Sequence, residues 1–463
     1  MKKAILCIDI GSTNTKVTAI DSESALVLGT ASAYTTVETD VLNGLILALK
    51  SLQAKTGPLE FTARFACSSA AGGLRMIASG LAPSLTQTAA KMACLGAGAK
   101  VIQNFAYKLT KDDITEIFAQ KPDIFLLVGG TDGGNEEVVL HNAKLLSTQK
   151  PAFPILYAGN RNAKDEVLAL LKGWDVRTCE NVMPRIEQLN ATPVQEEIRA
   201  LFLEHIIHAK GLSDIAAQMN APLIPTPAAV LLAMELLADG TSEQAGIGEL
   251  VAVDLGGATT DVYSIAKGEP KIADAIVKGI PEPYVKRTVE GDIGMRYSAE
   301  GVLEAVGAEK LSKQSGIEPE KVINMITYLR NNPDSLPQTE TEKALDCAIA
   351  ASAVEIALCR HAGRLETIYT AQGPTMLQIG KDLTEIKSLL LTGGAIIHNP
   401  DAKHIAQSAM FDVDNPDSLK PKSAEVFIDK TYILAAAGLL SQTNPNAALQ
   451  LMKKELMEDG TYQ

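Results

Sequence analysis

The chain has 463 residues and a net charge of −13; apolar residues make up 46% of it and aromatics 4%. That length and apolar content predict about three globular domains with ample core. The acidic balance excludes a nucleic-acid partner, since no basic stripe supplies the phosphate-neutralising charge, and no apolar run approaches the roughly 20 residues of a membrane helix.

The first element reads as strand, tight turn, strand: Cys7-Ile-Asp-Ile-Gly-Ser-Thr-Asn-Thr-Lys-Val-Thr-Ala-Ile20. Two or three further strands and a helix over Val41–Gln53 follow within residues 1–65. Phe65–Arg75 is rich in small residues and predicts a loop leading to a helix. Next come β-rich runs over Val101–Tyr107, Asp123–Val128 and Phe153–Ala158. Amphipathic helices over Lys111–Gln120, Glu136–Ser147 and Lys164–Leu171 alternate with them. Such alternation predicts a parallel sheet with crossover connections, here an inserted, flavodoxin-like α/β unit over residues 96–185. Gly129–Asn135 and Gly159–Asn162 leave the C-terminal ends of its strands, where open α/β sheets bind ligands. They read equally as binding loops and as turns that start the next helix.

An Ala-rich helix over Pro225–Met234 precedes a second hairpin, Ala252-Val-Asp-Leu-Gly-Gly-Ala-Thr-Thr-Asp-Val-Tyr-Ser-Ile265. An offset of 245 (254 minus 9) lays Asp9 on Asp254, Gly11 on Gly256, Thr15 on Thr260 and Val17 on Val262. Pro281–Arg296 then gathers Lys286, Arg287, Glu290, Asp292 and Arg296 around two glycines. It reads either as nucleotide-facing charge or as a solvated turn. Residues 298–380 are mainly helical, with a break near Asn331–Asp334. Ser388–Ile397 is a buried strand ending in Gly393-Gly394, Tyr432–Leu440 a second small-residue helix, and Asn446–Met457 a charged terminal helix.

Small residues in a turn let backbone N–H groups and hydroxyls approach a phosphate, and the preceding Asp can hold a metal ion that neutralises it. A glycine pair after a strand admits a flat ligand such as adenosine. The order phosphate turn, phosphate turn, nucleoside turn resembles the superfamily of actin, the 70-kDa heat-shock chaperone and the sugar and acetate kinases. That resemblance implies a two-lobed, ribonuclease-H-like ATPase fold carrying the α/β insertion. The corresponding division is 1–95 for the first half of lobe I, 96–185 for the insert and 186–245 for the remainder of lobe I with a linking helix. Residues 246–425 are lobe II, and 426–463 are C-terminal helices returning to lobe I.

Ala66–Met76, Leu127–Asn135 and Arg287–Arg296, with the two hairpins and Leu391–Ala395, resemble one family in particular. It is the accessory protein of adenosylcobalamin-dependent glutamate mutase, called MutL or GlmL, and the resemblance spans essentially the whole chain. It implies an ATP-dependent reactivating chaperone for a coenzyme-B12 mutase, with slow ATP hydrolysis, ATP and Mg²⁺ as cofactors, and mutase subunits as partners. In its terms Asp9, Asp254 and Asp261 hold Mg²⁺ and the attacking water. Ser12, Thr13, Thr259 and Thr260 donate to the phosphates. Gly11, Asn14, Thr15, Lys16, Gly256, Gly257, Ala258 and Glu290 complete the phosphate side, and Gly393, Gly394 and Ala395 face the adenosine.

Three other functions share the superfamily: a small-molecule kinase, an iron–sulfur activator of 2-hydroxyacyl-CoA dehydratases, and an actin-like filament subunit. The kinase needs an acceptor pocket and base, which no motif supplies. The activator needs paired cysteines in one loop, whereas Cys7, Cys67, Cys94, Cys179, Cys347 and Cys359 are scattered and read as reduced small hydrophobes. An insert would crowd a filament face. His205 and His208 share a helical face and read as structural or as metal ligands. Asp9 interrupts the apolar start, so no secretory signal is read and the expected location is the cytoplasm.

Overall fold

The chain opens with strands that pair in succession: β1 (Lys2–Ile10), β2 (Asn14–Asp21), β3 (Val27–Tyr34) and, after a helix over Val41–Thr56, β4 (Leu59–Ser68). These coordinates are a computed structural model describing residues 1–11, 14–35, 40–69, 74–202, 204, 212–370, 373–458 and 461–462. β1 pairs antiparallel with β2 and parallel with β4, and β2 pairs antiparallel with β3. The helix starts where the Asp40 carboxylate accepts from Leu42 N at 2.8 Å, an N-cap worth about 1 kcal/mol. Its Leu45, Ala48 and Leu52 recur at helical spacing and bury against Leu6, Ile8 and Val17 of the sheet.

A second sheet follows, from β5 (Arg75–Gly80), β6 (Lys100–Ala106), β7 (Ile124–Leu127), β8 (Ile155–Tyr157) and β9 (Val176–Thr178). Its order is β6-β5-β7-β8-β9 and every neighbouring pair is parallel. Numbered within the sheet this is 2-1-3-4-5, the flavodoxin-like order. Ile124–Leu127 is buried on both faces because crossover helices cover both. The aromatics concentrate here: Phe153 lies 5.1 Å from Phe118 and 5.5 Å from Trp174 between ring centroids. Strand β5 precedes residue 96, so the parallel sheet reaches back into the stretch that sequence reasoning assigns to the first lobe. A two-residue strand, β10 (Ile224–Pro225), then pairs with β4 and completes a sheet of order β10-β4-β1-β2-β3.

The later strands are β11 (Leu250–Leu255), β12 (Thr260–Ile265), β13 (Ile276–Val277), β14 (Val285–Glu290), β15 (Arg364–Thr370), β16 (Gly373–Ile379), β17 (Ser388–Thr392), β18 (Glu425–Ile428) and β19 (Thr461–Tyr462). Six of them form the sheet β14-β12-β11-β17-β18-β19. β12 is antiparallel to β11 and β14, and β17 is parallel to β11 and β18. Leaving out β19, both mixed sheets have the order 3-2-1-4-5 with the same strand directions. The fold therefore holds two ribonuclease-H-like units, and the sequence repeat is the first hairpin of each. The expected helical region at 298–380 includes helices at Ala299–Val306, Ala308–Ser315, Pro319–Asn331 and Glu340–His361, but ends in the hairpin β15–β16.

By packing, the chain divides into Met1–Ala233 with Gly279–Pro281 and Ala435–Leu451, and Met234–Lys278 with Glu282–Leu434 and Met452–Gln463. The division passes through the helices Thr226–Asp239 and Ile433–Ser441. In the first unit these helices pack closely: a Cβ on Gly438 would stand 1.8 Å from Ala229 O, so only glycine fits. Among the described residues no helix is long and apolar enough to cross a membrane. All six cysteines are free; Cys7, Cys67 and Cys94 are buried, and Cys179, Cys347 and Cys359 are half-buried.

Candidate functional site

Both hairpins turn in the same way. In the first unit Gly11 N donates to Asn14 O at 3.0 Å, and in the second Gly256 N donates to Thr259 O at 2.9 Å. Each glycine lies flat against the carbonyl it bonds: an added Cβ would come within 2.7 Å of Asn14 O or 2.9 Å of Thr259 O. The threonines that follow, Thr15 and Thr260, are fully buried. Thr15 shares a hydrogen bond with Thr35, and Thr260 donates to Ile293 O at 2.9 Å. Their hydroxyls brace the hairpins from inside. Ser12 and Thr13 lie outside the described residues, as do Ala70–Gly73, His205 and His208.

In the first unit, Asp9 accepts from Thr226 Oγ1 at 2.7 Å and from the Cys67 thiol at 3.5 Å. Burial, with the Asp9 charge second, holds the Cys67 thiol well above its ordinary range, so it stays a neutral donor. Lys16 lies directly opposite Asp9 in the strand pair, on the same face.

In the second unit the residue opposite Asp254 is Asp261. Arg287, on the adjoining strand β14, contacts Asp261 Oδ1 with Nε at 2.8 Å and Nη2 at 2.6 Å. Its side chain is 3% exposed and its guanidinium carbon lies 6.0 Å from the centre of the Tyr263 ring. Burial there raises the Tyr263 hydroxyl well above its usual range, so it adds no charge to the cluster.

The segment after β14 clasps the second turn. Met295 N donates to Gly256 O at 3.0 Å and Arg296 N to Gly257 O at 2.8 Å. A Cβ on Gly294 would stand 2.7 Å from Ala258 C, so glycine is needed for this approach. Gly393 has φ 108° and would place a Cβ 2.2 Å from Leu255 O. Strand β17 can leave the sheet beside β11 only through a glycine here. These constraints bring Gly256 and Gly257 together with Gly394 and Ala395 on the rim of one cleft of about 500 Å³. That volume suits a nucleoside-sized ligand. Arg296 forms its floor, bound to Asp346 through two hydrogen bonds of 2.9 Å. Lys343 and His398 are the other cationic or titratable groups on the lining.

The expected site residues thus fall into three sets. Gly256, Gly257, Gly394 and Ala395 line the cleft, Asp254 stands on β11 next to the lining residue Leu255, and Ala258 and Thr259 complete the turn. Asp9, Gly11, Asn14 and Lys16 gather at the first hairpin. Glu290 receives Arg360 Nη1 at 2.6 Å and faces Thr260 across the strand pair. Of the charged groups on the lining, Arg296 belongs to the Pro281–Arg296 cluster already singled out in the sequence, whereas no sequence signal pointed to Lys343 or Asp346. Asp346 and Lys343 sit on the helix Glu340–His361, whose capping box at Thr339 and Glu342 starts its first turn at the cleft. A second cavity, about 440 Å³ and mainly apolar, lies beneath the helix Val41–Thr56 and is lined by Leu45, Leu49, Phe61 and Met219, with no residue of the first turn on its lining.

A magnesium ion fits these residues only in one form. Among the described residues no cluster of three or more His, Cys, Asp or Glu could hold a metal by itself. Mg²⁺ is usually bound by one or two carboxylates, waters and substrate phosphates, a set that an Asp beside a phosphate turn can complete. The Asp261 carboxylate already carries Arg287.

The family model described as MutL protein matches residues 5–456. Protein MutL of Clostridium tetanomorphum is 45% identical over 459 residues, covering 98% of this chain and 99% of the relative. Solved structures to which the chain is similar include ligand-bound xylulose kinase of Lactobacillus acidophilus, with TM-score 0.35, 11% identity and coverage of 97% of this chain and 92% of that one. Glycerol kinase of Plasmodium falciparum with ADP gives TM-score 0.34 and 13% identity over 96% of this chain and 90% of that one. The activator of 2-hydroxyisocaproyl-CoA dehydratase from Clostridium difficile gives 0.32 and 9% over 96% and 95%.

Proposed function

This chain belongs to the MutL protein family, and from that premise we propose that it is an ATP-dependent reactivating chaperone for a coenzyme-B12-dependent mutase, glutamate mutase or a related aminomutase. The observation that carries the nucleotide part is the cleft where the Gly256–Gly257 turn meets Gly394 and Ala395. Turn N–H groups take the phosphates, and the glycines let the nucleoside lie close to the backbone. Asp254 is the carboxylate for a nucleotide-borne Mg²⁺ at this cleft, and Asp9 stands at the matching position of the first unit's hairpin. When bound, Mg²⁺ neutralises phosphate charge. Hydrolysis in such a site is a matter of positioning and charge neutralisation, and it is slow.

The chaperone part follows from linkage. A nucleotide that binds one conformation of the chain more tightly than another shifts their populations by the ratio of its two affinities. A partner enzyme attached to the chain is then biased toward the conformation that releases damaged cobalamin. The test is to add this protein, ATP, Mg²⁺ and fresh adenosylcobalamin to an inactivated mutase. Activity returns, and a non-hydrolysable ATP analogue supports binding without repeated cycles. Equal recovery with no nucleotide rejects the mechanism. Rapid phosphorylation of a carboxylate or sugar by the same preparation favours a kinase instead.

A further inference from the structure

The two hairpins match in turn geometry and differ in one charge. The offset that lays Asp9 on Asp254 lays Lys16 on Asp261. In the first unit the residue facing the motif aspartate is therefore a lysine; in the second it is another aspartate. Like charges directly opposite one another in an antiparallel pair are destabilising. Two close carboxylates are also the start of a divalent-cation site.

Arg287 answers both problems. It comes from β14, where it lies opposite Tyr263, two pairs along from Asp261 and so on the same face. Nε and Nη2 both reach Asp261 Oδ1, and the guanidinium is buried beside the Tyr263 ring. A buried charge persists only when paired, because unpaired it costs several kcal/mol. The pair is therefore a fixed part of this hairpin.

We propose that Arg287 is a positioning residue that supplies, from a neighbouring strand, the positive charge the first hairpin carries as Lys16. It withholds Asp261 from the metal, leaves Asp254 as the metal-facing carboxylate of the second unit, and so makes cation entry there depend on nucleotide phosphate. This rests on the nucleotide reading above for its purpose, but not for its test. Asp261 then acts through Arg287 and is not a metal ligand.

The probe is Mn²⁺, followed by electron paramagnetic resonance in the full-length protein, first without any nucleotide. Wild type binds it weakly. Arg287→Met, which takes the guanidinium away from Asp261, binds it at least about tenfold more tightly, a difference of about 1.4 kcal/mol. The double variant Asp261→Asn with Arg287→Met returns to the wild-type value, and Arg287→Lys, which keeps the charge, stays there. Mn²⁺ affinity of Arg287→Met equal to that of wild type overturns the proposal. With ATP present, the double variant keeps the Mn²⁺–ATP affinity within about threefold of wild type; a loss of about tenfold or more makes Asp261 a ligand and overturns it as well. Should Arg287→Met not fold, this second arm decides, since a neutral pair of similar volume is tolerated better than one buried unpaired charge. Wild type that binds no ATP at all sinks the nucleotide reading while leaving the nucleotide-free arm interpretable.

Discussion

The first hairpin, Asp9 to Thr15, and the second, Asp254 to Thr260, share a turn hydrogen bond, a glycine packed on a carbonyl and a buried threonine. They differ in what steadies the aspartate. Asp9 has neutral donors, Thr226 and Cys67, and a lysine opposite. Asp254 has an aspartate opposite, whose charge is taken up by a buried arginine from another strand. A repeated motif thus keeps backbone shape, which sterics dictate residue by residue, more strictly than charge, which any neighbouring strand can supply.

The sharpest way to break that contrast is to remove the second hairpin's anion. Asp261→Ala removes the carboxylate that the buried Arg287 guanidinium pairs with, and stability in urea should fall by about 3–5 kcal/mol. Lys16→Ala, at the matching position but half-buried, should cost much less. Similar losses for the two would mean that Arg287 is not specifically matched to Asp261. A smaller effect is expected at the first aspartate. Thr226→Val removes the 2.7 Å donor to Asp9, and a hydrogen bond to a charged group is worth about 1.5–3 kcal/mol. An unchanged unfolding midpoint would show that Thr226 gives Asp9 nothing.

The smallest effect lies behind the second hairpin. Lys381 donates to Tyr284 O at 2.7 Å and reaches Ser264 Oγ at 3.3 Å; burial first, then Lys286, pushes its ammonium down to about 7. Between that value and its ordinary one, the unfolded chain binds the proton and the folded chain does not. Stability therefore rises with pH through this window. The buried thiols Cys7 and Cys94, pushed up to about 12, oppose this once unfolded thiols begin to ionise near pH 8.5. The melting temperature should therefore climb from about pH 7 to about 8.5, and Lys381→Met should remove that climb. An identical profile in the variant would acquit Lys381.

Much of the fold was legible because it depends on short-range pattern. Asp, Gly and Thr at a common offset announce the paired hairpins, and the β-α alternation after residue 100 announces the parallel sheet. Strand β5 escaped because Arg75–Gly80 follows a run of small residues that resembles a loop. The β15–β16 hairpin escaped because most of its residues are exposed or half-buried, which erases the alternation that marks a strand. At the site, the glycines were legible and their neighbours were not. Thr15 and Thr260 carry hydroxyls suited to phosphate, yet both point into the core. Arg287 was visible as one charge in a cluster, but its attachment to Asp261 is a contact across strands 26 residues apart in sequence. Asp346, on the long helix, pairs with Arg296 across 50 residues.

The central claim is that the cleft bounded by Gly256, Gly257, Gly394 and Ala395 takes a nucleotide whose metal is held by Asp254. Calorimetric titration of Mg–ATP into the full-length protein and into Asp254→Asn tests it most directly. Saturable binding to wild type is expected, with at least about a tenfold loss of affinity, or 1.4 kcal/mol, in a variant whose melting temperature is preserved. Equal affinity in the two proteins, or no binding to wild type, would contradict it.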